Sequence, residues 1–201
     1  MKNEKVKKMV TISLLIAIVV VLQMTAGMLP TLPGGAKLSF VLIPIVLGAA
    51  LYGPGSGAIL GAVFGLLAFY YSATGADGVG LAIFQVSPIG CFAICVGKST
   101  VAGFAAGMIY KLVVKSNGYI AMLCASILCP VLNTGIFMAS VALFFKNTEF
   151  LSGPDTYIPI VSVFGIILLF NAIPELIINI IFSTAGQRII KIVKKSRYYL
   201  I

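Results

Sequence analysis

The chain contains no histidine and no tryptophan, and only five of its 201 residues are acidic. Without imidazole, and with so few carboxylates, it lacks the usual groups for general acid–base or metal-assisted catalysis, so an enzyme is disfavoured. Charge of either sign is scarce: 9% of residues are charged and 60% hydrophobic, far from the balance of a soluble domain. No polar stretch is long enough to fold alone. Cys91, Cys95, Cys124 and Cys129 lie in apolar runs with neither C-x-x-C pairing nor a histidine beside them, and read as small packing residues. A phosphate-binding loop is missing as well. The stretch "CVGKSTVAG" ends like one, but the position five before Gly97 is Phe92, where G-x-x-x-x-G-K-[ST] requires glycine.

What the chain does have is uncharged length. The runs from Lys8 to Lys37, Lys115 to Lys146 and Asp155 to Glu175 each bracket enough residues for a membrane helix of about 20, and Lys37 to Asp77 brackets two. Strictly alternating barrel-type patterning is absent, so the class is an all-α integral membrane protein. Breakers and basic anchors place a six-helix bundle in one membrane domain, residues 1–201, with spans at about 9–29, 38–52, 55–73, 92–113, 118–145 and 158–187. The first 28 residues resemble a signal peptide but carry no convincing A-x-A site, so they are expected to remain as a membrane helix. The net charge of +9 gathers at Lys2, Lys5, Lys7 and Lys8, at Lys111 and Lys115, and from Arg188 to Arg197. By the positive-inside rule both termini are then cytoplasmic, and the charge faces an anionic lipid bilayer rather than nucleic acid.

Finer features carry their own expectations. The segment from Gly80 to Val113 is longer than one helix needs, and Gln85, Pro88 and Gly90 suggest that it begins as a re-entrant or capping loop. Pro174 should kink the last span or be repaired by its neighbours. Gly53, Gly57, Gly61 and Gly65 recur every fourth residue, and Ser99, Gly103 and Gly107 repeat the pattern; both runs are expected to pack inside the bundle. Ser13 and Ala17 form a shorter pair near the cytoplasmic end of the first helix, where a membrane partner could dock.

Lys98 and Glu175 are the ionisable residues deep within the proposed spans, and charges there are costly enough to mark candidate sites. Lys98 lies thirteen residues before Lys111 and Glu175 thirteen before Arg188. At about 1.5 Å per residue both sit about 20 Å above the basic boundary. Asn171, Glu175 and Asn179 step along one helix face, and Asn133, after Pro130, comes to a similar depth. One reading is a buried Lys98–Glu175 ion pair with asparagines bonding between helices. The other is a polar-solute pocket in which Lys98 faces an anionic group and the asparagines hold hydroxyls or amides. The external segments around Pro30 to Lys37 and Gly75 to Gln85 would form its lid, adding Lys37 and Gln85 as candidate contacts, with Tyr71 at the end of the third span beside them.

A basic start into a small-residue helix, then "KLSFVLIPIVLGAALYGPGSGAILGAVFGLLAF", "PVLNTGIF" and "FNAIPELIIN", resembles the substrate-specific S component of energy-coupling factor (ECF) vitamin transporters across nearly the whole chain. The resemblance implies capture of a vitamin at the outer face of a bacterial cytoplasmic membrane. It also implies a membrane scaffold T subunit and two cytoplasmic ATPases that use ATP, with no cofactor bound by this chain. Ligands in that family occupy an outer cavity built from the last three helices and capped by external loops. The family's A-x-x-x-A scaffold-docking motif is matched by Ser13 and Ala17, with serine in the first place. "KLSF" lacks the aspartate usual in riboflavin binders, whereas "GPGSGAILGAVFG" and "NAIPELIIN" are most similar to pantothenate-type members, so pantothenate is the expected ligand. Two alternatives stand beside this reading: an autonomous proton-coupled carrier with Glu175 as relay, and a membrane enzyme or assembly factor.

Overall fold

Backbone in lipid must bond within its own segment, and the uncharged runs do so as helices. The computed structural model describes residues 2–28, 40–144, 152–153, 156–157, 165 and 172–198. Its helices are α1 (Lys2–Met28), α2 (Leu42–Tyr52), α3 (Pro54–Thr74), α4 (Gly78–Val86), α5 (Pro88–Val113), α6 (Gly118–Phe144) and α7 (Ile173–Tyr198). Five segments, Lys5–Ala26, Pro54–Thr74, Pro88–Val113, Gly118–Leu143 and Ile173–Val193, are long and apolar enough to cross a bilayer. The chain is a multi-pass membrane protein. Between α6 and α7 the described residues include one antiparallel ladder, Ser152 opposite Tyr157 and Gly153 opposite Thr156.

Several boundaries differ from the sequence expectation. For the second span, expected over 38–52, the described residues form a helix from Leu42 with Phe40 and Val41 outside it, and its 11 residues reach about 16 Å, roughly half the hydrocarbon thickness. It survives as an interior strut. Leu42, Ile45, Val46, Ala49 and Ala50 are buried, and the helix touches α1, α3, α5, α6 and α7. The expected capping loop is instead the short helix α4, packed on α3 through Phe69 and Phe84, whose rings lie 5.8 Å apart. α5 then starts at Pro88 rather than at 92. Proline suits a first helical turn because its missing N–H needs no partner there, and the Ser87 hydroxyl accepts the Gly90 N–H at 3.1 Å. At the other end, α7 runs to Tyr198, beyond the expected limit of 187. Positions 158–164 and 166–171, the first part of the last expected span, lie outside the described residues. Ala172 carries a π-helical turn just before Pro174, the local adjustment expected where proline removes a helix bond.

The two small-residue runs do meet inside the bundle. Gly57, Gly61 and Gly65 of α3 face Gly103, Ser99 and Cys95 of the antiparallel α5, so each turn along one helix is matched by a turn along the other. Pro54 closes the row against Gly107. A methyl group added at Gly65 would lie 2.6 Å from the carbonyl oxygen of Cys95, so the two backbones touch without side chains between them. Gly53, with φ of 91°, supplies the left-handed turn that lets α3 reverse directly off α2.

Candidate functional site

The lower registers of α5, α6 and α7 fix the layer above them. Tyr110 of α5 donates its phenol hydrogen to Gln187 Oε1 of α7 at 3.2 Å. Lys98 is twelve residues before Tyr110, and Glu175 twelve before Gln187. Since α5 and α7 run in the same direction, this bond sets Lys98 and Glu175 at the same height. The Ser99 hydroxyl shares its one hydrogen between its own helix, at Cys95 O 3.0 Å away, and the antiparallel α6, at Asn133 Oδ1 3.3 Å away. Serine in a membrane helix has no water to bond, so a backbone carbonyl one turn back and an amide on the next helix satisfy it.

Three helices thus bring polar groups to one layer. Glu175 is 3% exposed and Asn133 6%, while Lys98 is half-buried. The Lys98 ammonium lies 4.2 Å from the centroid of Phe137, one turn beyond Asn133 on α6. Glu175 on α7 is buried in the same layer, and Cys129, one turn before Asn133 on α6, is buried as well. Lys98 rests over the aromatic face instead of closing a direct ion pair with Glu175 among the described residues. A cation over a ring gains attraction from the π face and keeps its N–H groups able to donate elsewhere. The layer therefore offers a donor cation, a buried carboxyl group, an amide and an aromatic wall. It has no triad geometry, and no group of three metal-ligating side chains occurs among the described residues.

The other candidate residues divide by position. Tyr71 is half-buried on α3, with its ring 5.9 Å from that of Tyr70, and Gln85 is exposed on α4. Lys37 and Asn171 lie outside the described residues. Ser13 and Ala17 are both exposed on α1, on a face continued by Val10, Leu14, Val21 and Met24. The opposite face of α1 carries Leu15, Val19 and Ala26 into the bundle. Cys91, Cys95 and Cys129 are buried and Cys124 is half-buried, so all four sit in the packing of the bundle.

Sequence reasoning missed Phe137, Tyr110, Ser183 and Gln187. The first two carry no signal in a chain rich in aromatics. Ser183 and Gln187 were legible, since they continue the step of four begun by Glu175 and Asn179. Asn179 donates its amide to Glu175 O at 2.8 Å, and Ser183 donates to Ile180 O at 2.6 Å.

A family model described as ECF transporter, substrate-specific component, matches residues 7–184. No curated protein matches the sequence.

Proposed function

Because the chain belongs to the family of substrate-specific components of ECF transporters, whose members bind substrate for transport and are not enzymes, we propose that the Lys98–Asn133–Glu175 layer is its solute site. The observation that carries this is the Lys98 ammonium, held over Phe137 in the membrane interior yet not consumed by a direct pair with Glu175. In that position it can bind a carboxylate by charge-assisted hydrogen bonds, while Asn133 and Glu175 take hydroxyl or amide groups. Pantothenate has these groups: one carboxylate, an amide and two hydroxyls. In this reading the basic ends of α5 and α7 face the cytoplasm, the layer opens toward the outside, and Tyr71, Gln85, Lys37 and Asn171 contribute to the rim or wall. A scaffold subunit and two ATPases supply the energy.

Purification of the chain followed by mass spectrometry of any retained small molecule tests the site directly. Pantothenate, or another small carboxylate, is the expected finding. Retention of a cation without an acidic group would remove Lys98 from its role.

The exposed α1 face gives a second expectation. Ser13 and Ala17 are the small residues on an apolar helix surface, where another helix can approach closely. Ala17→Phe is expected to abolish uptake by the assembled transporter while solute binding to the isolated chain is retained. Equal loss of both would show that α1 serves the bundle and not the scaffold.

A further inference from the structure

At the basic end of the bundle, α5, α6 and α7 are tied together around one residue. Gln187 of α7 accepts the Tyr110 hydroxyl of α5 at 3.2 Å, and its side chain packs so closely on Gly118 of α6 that a Cβ there would overlap it. The turn from α5 to α6 is short and closely bonded: Ser116 and Asn117 donate their N–H groups to Val113 O, and Asn117 Oδ1 accepts the N–H of Tyr119 at 2.9 Å. One turn beyond Gln187, the Lys191 ammonium lies 4.2 Å from the centroid of the Tyr119 ring. Lys111 follows Tyr110, Arg188 follows Gln187 and Lys115 precedes Gly118 by three, so three further cations belong to this junction, and all four are exposed.

Four like charges at one junction repel one another unless anions balance them. The chain itself has none to offer. No acidic residue occurs from 111 to 134 or from 188 to 201, and Glu4, at the foot of α1, has four lysines of its own helix around it. Glu175 is sixteen residues before Lys191, about 24 Å up the helix. The Tyr119 ring also changes what Lys191 can do. A free lysine loses rotamer entropy when it grips a ligand, whereas Lys191 is already held, with its N–H groups able to donate. With Lys191 over it, the ring has no place for a choline group, the cation that such an aromatic face would otherwise receive. From this polar head, exposed apolar residues run into the membrane on one face of each helix, Leu123 and Ile127 on α6 and Ile181 and Ile177 on α7. A soluble anion would use the cations alone; a phospholipid uses the cations and the apolar edge together.

We infer that the α5–α6 turn and α7 form a seat for an acidic phospholipid, with the Lys191 ammonium, held by Tyr119, on the phosphodiester and Arg188, Lys111 and Lys115 supplying the field that selects a head group of net negative charge. A head group of zero net charge leaves the four cations uncompensated. The acyl chains lie along Leu123 and Ile127 of α6 and the neighbouring edge of α7. Bound there, the lipid joins the three helices that carry Lys98, Asn133 and Glu175, and steadies them about 18 Å below that layer. The seat does not depend on which solute the layer holds.

Native mass spectrometry of the full chain, released from detergent with phosphatidylglycerol and phosphatidylcholine added in equal amounts, reads the seat. Phosphatidylglycerol is expected to stay bound in preference to phosphatidylcholine. Lys191→Gln should lower its retention at least about fivefold, roughly what one cation contributes near an acidic surface. Tyr119→Leu keeps every charge and should lower it by about two- to fivefold, the strength of an exposed cation–π contact. Equal retention of the two lipids by the wild-type chain, or no effect of Tyr119→Leu, would overturn the seat. Lys5→Gln is the control, since it removes one exposed charge from the basic flank of α1. A loss there equal to that of Lys191→Gln would mean that net charge, and not a seat, holds the lipid. Thermal stabilisation by inorganic phosphate as large as that by phosphatidylglycerol would give the cations to a soluble anion instead. Unchanged lipid retention in Lys191→Gln, with assembly into the transporter lost, would give them to an acidic protein surface.

Discussion

Gly61→Leu is expected to leave little folded protein, a heavier loss than any substitution in the solute layer should cause. A side chain at Gly61 points at the backbone of Ser99 and Thr100, and even a methyl there would overlap the Ser99 carbonyl. Overpacking into flexible side chains costs about 1–3 kcal/mol, and main chain held in a helix yields less than a side chain does. Against a net stability of about 5–15 kcal/mol, forcing α3 and α5 apart removes the seam on which the rest of the bundle is arranged. Gly61→Ala should show the same direction with a smaller loss. Gly97 is the control: it is exposed on α5, with nothing within 4 Å of an added Cβ. Gly97→Ala should stabilise by about 0.5–1 kcal/mol, because it lowers the entropy lost on forming the helix. Size-exclusion recovery after graded heating in detergent reads all three. Recovery of Gly61→Leu equal to wild type would mean that α3 and α5 are not in backbone contact.

On the proposed site, Lys98→Ala should weaken binding of pantothenate by at least about 1 kcal/mol, roughly fivefold in Kd, since a charge-assisted hydrogen bond would be deleted. Where Glu175 is ionised, the substitution also leaves a buried carboxylate without its nearby cation, which destabilises the unliganded chain. The two losses separate in a double-mutant cycle. Adding Glu175→Gln to Lys98→Ala should restore thermal stability, because a neutral amide needs no counter-charge, yet should not restore affinity. Titration calorimetry and thermal shift on the four proteins read the cycle. Unchanged affinity in a folded Lys98→Ala protein would place the solute elsewhere.

The shared height of Lys98 and Glu175 in the candidate site was legible because both helices carry basic residues at their ends. Lys111 and Arg188 are rulers, and counting thirteen residues back from each put Lys98 and Glu175 in one layer, where the Tyr110–Gln187 bond independently sets them. The glycine runs were legible for a similar reason: a four-residue step places small residues on one face, and in lipid such a face attracts another helix. What escaped was whatever depends on side-chain geometry. Two opposite charges at one height suggest a salt bridge, and nothing in the spacing of Lys98 reveals that Phe137 receives it. Helix starts escaped where proline was read as a breaker; at Pro88 it is the first residue of α5. The length of α2 escaped because hydropathy measures what a segment could span, and Phe40 and Val41 are as apolar as the helix they precede.

That half-length helix has an electrical consequence. Gly107 of α5 packs on Gly53 and Pro54 at the foot of α2, and eleven residues up from there α2 ends at Leu42 while α5 has reached Val96. The amino end of α2 therefore stops at the height of Lys98, inside the protein, on a helix that touches α5, α6 and α7. Its macrodipole puts about half a positive charge there, which no pH change removes. An anion bound in the layer, as proposed, would have two attractions, one from the Lys98 ammonium and one from fixed backbone. Lys98→Ala should accordingly still favour pantothenate over the corresponding alcohol, by a smaller margin, and loss of all preference between the two would mean that the α2 terminus does not reach the solute.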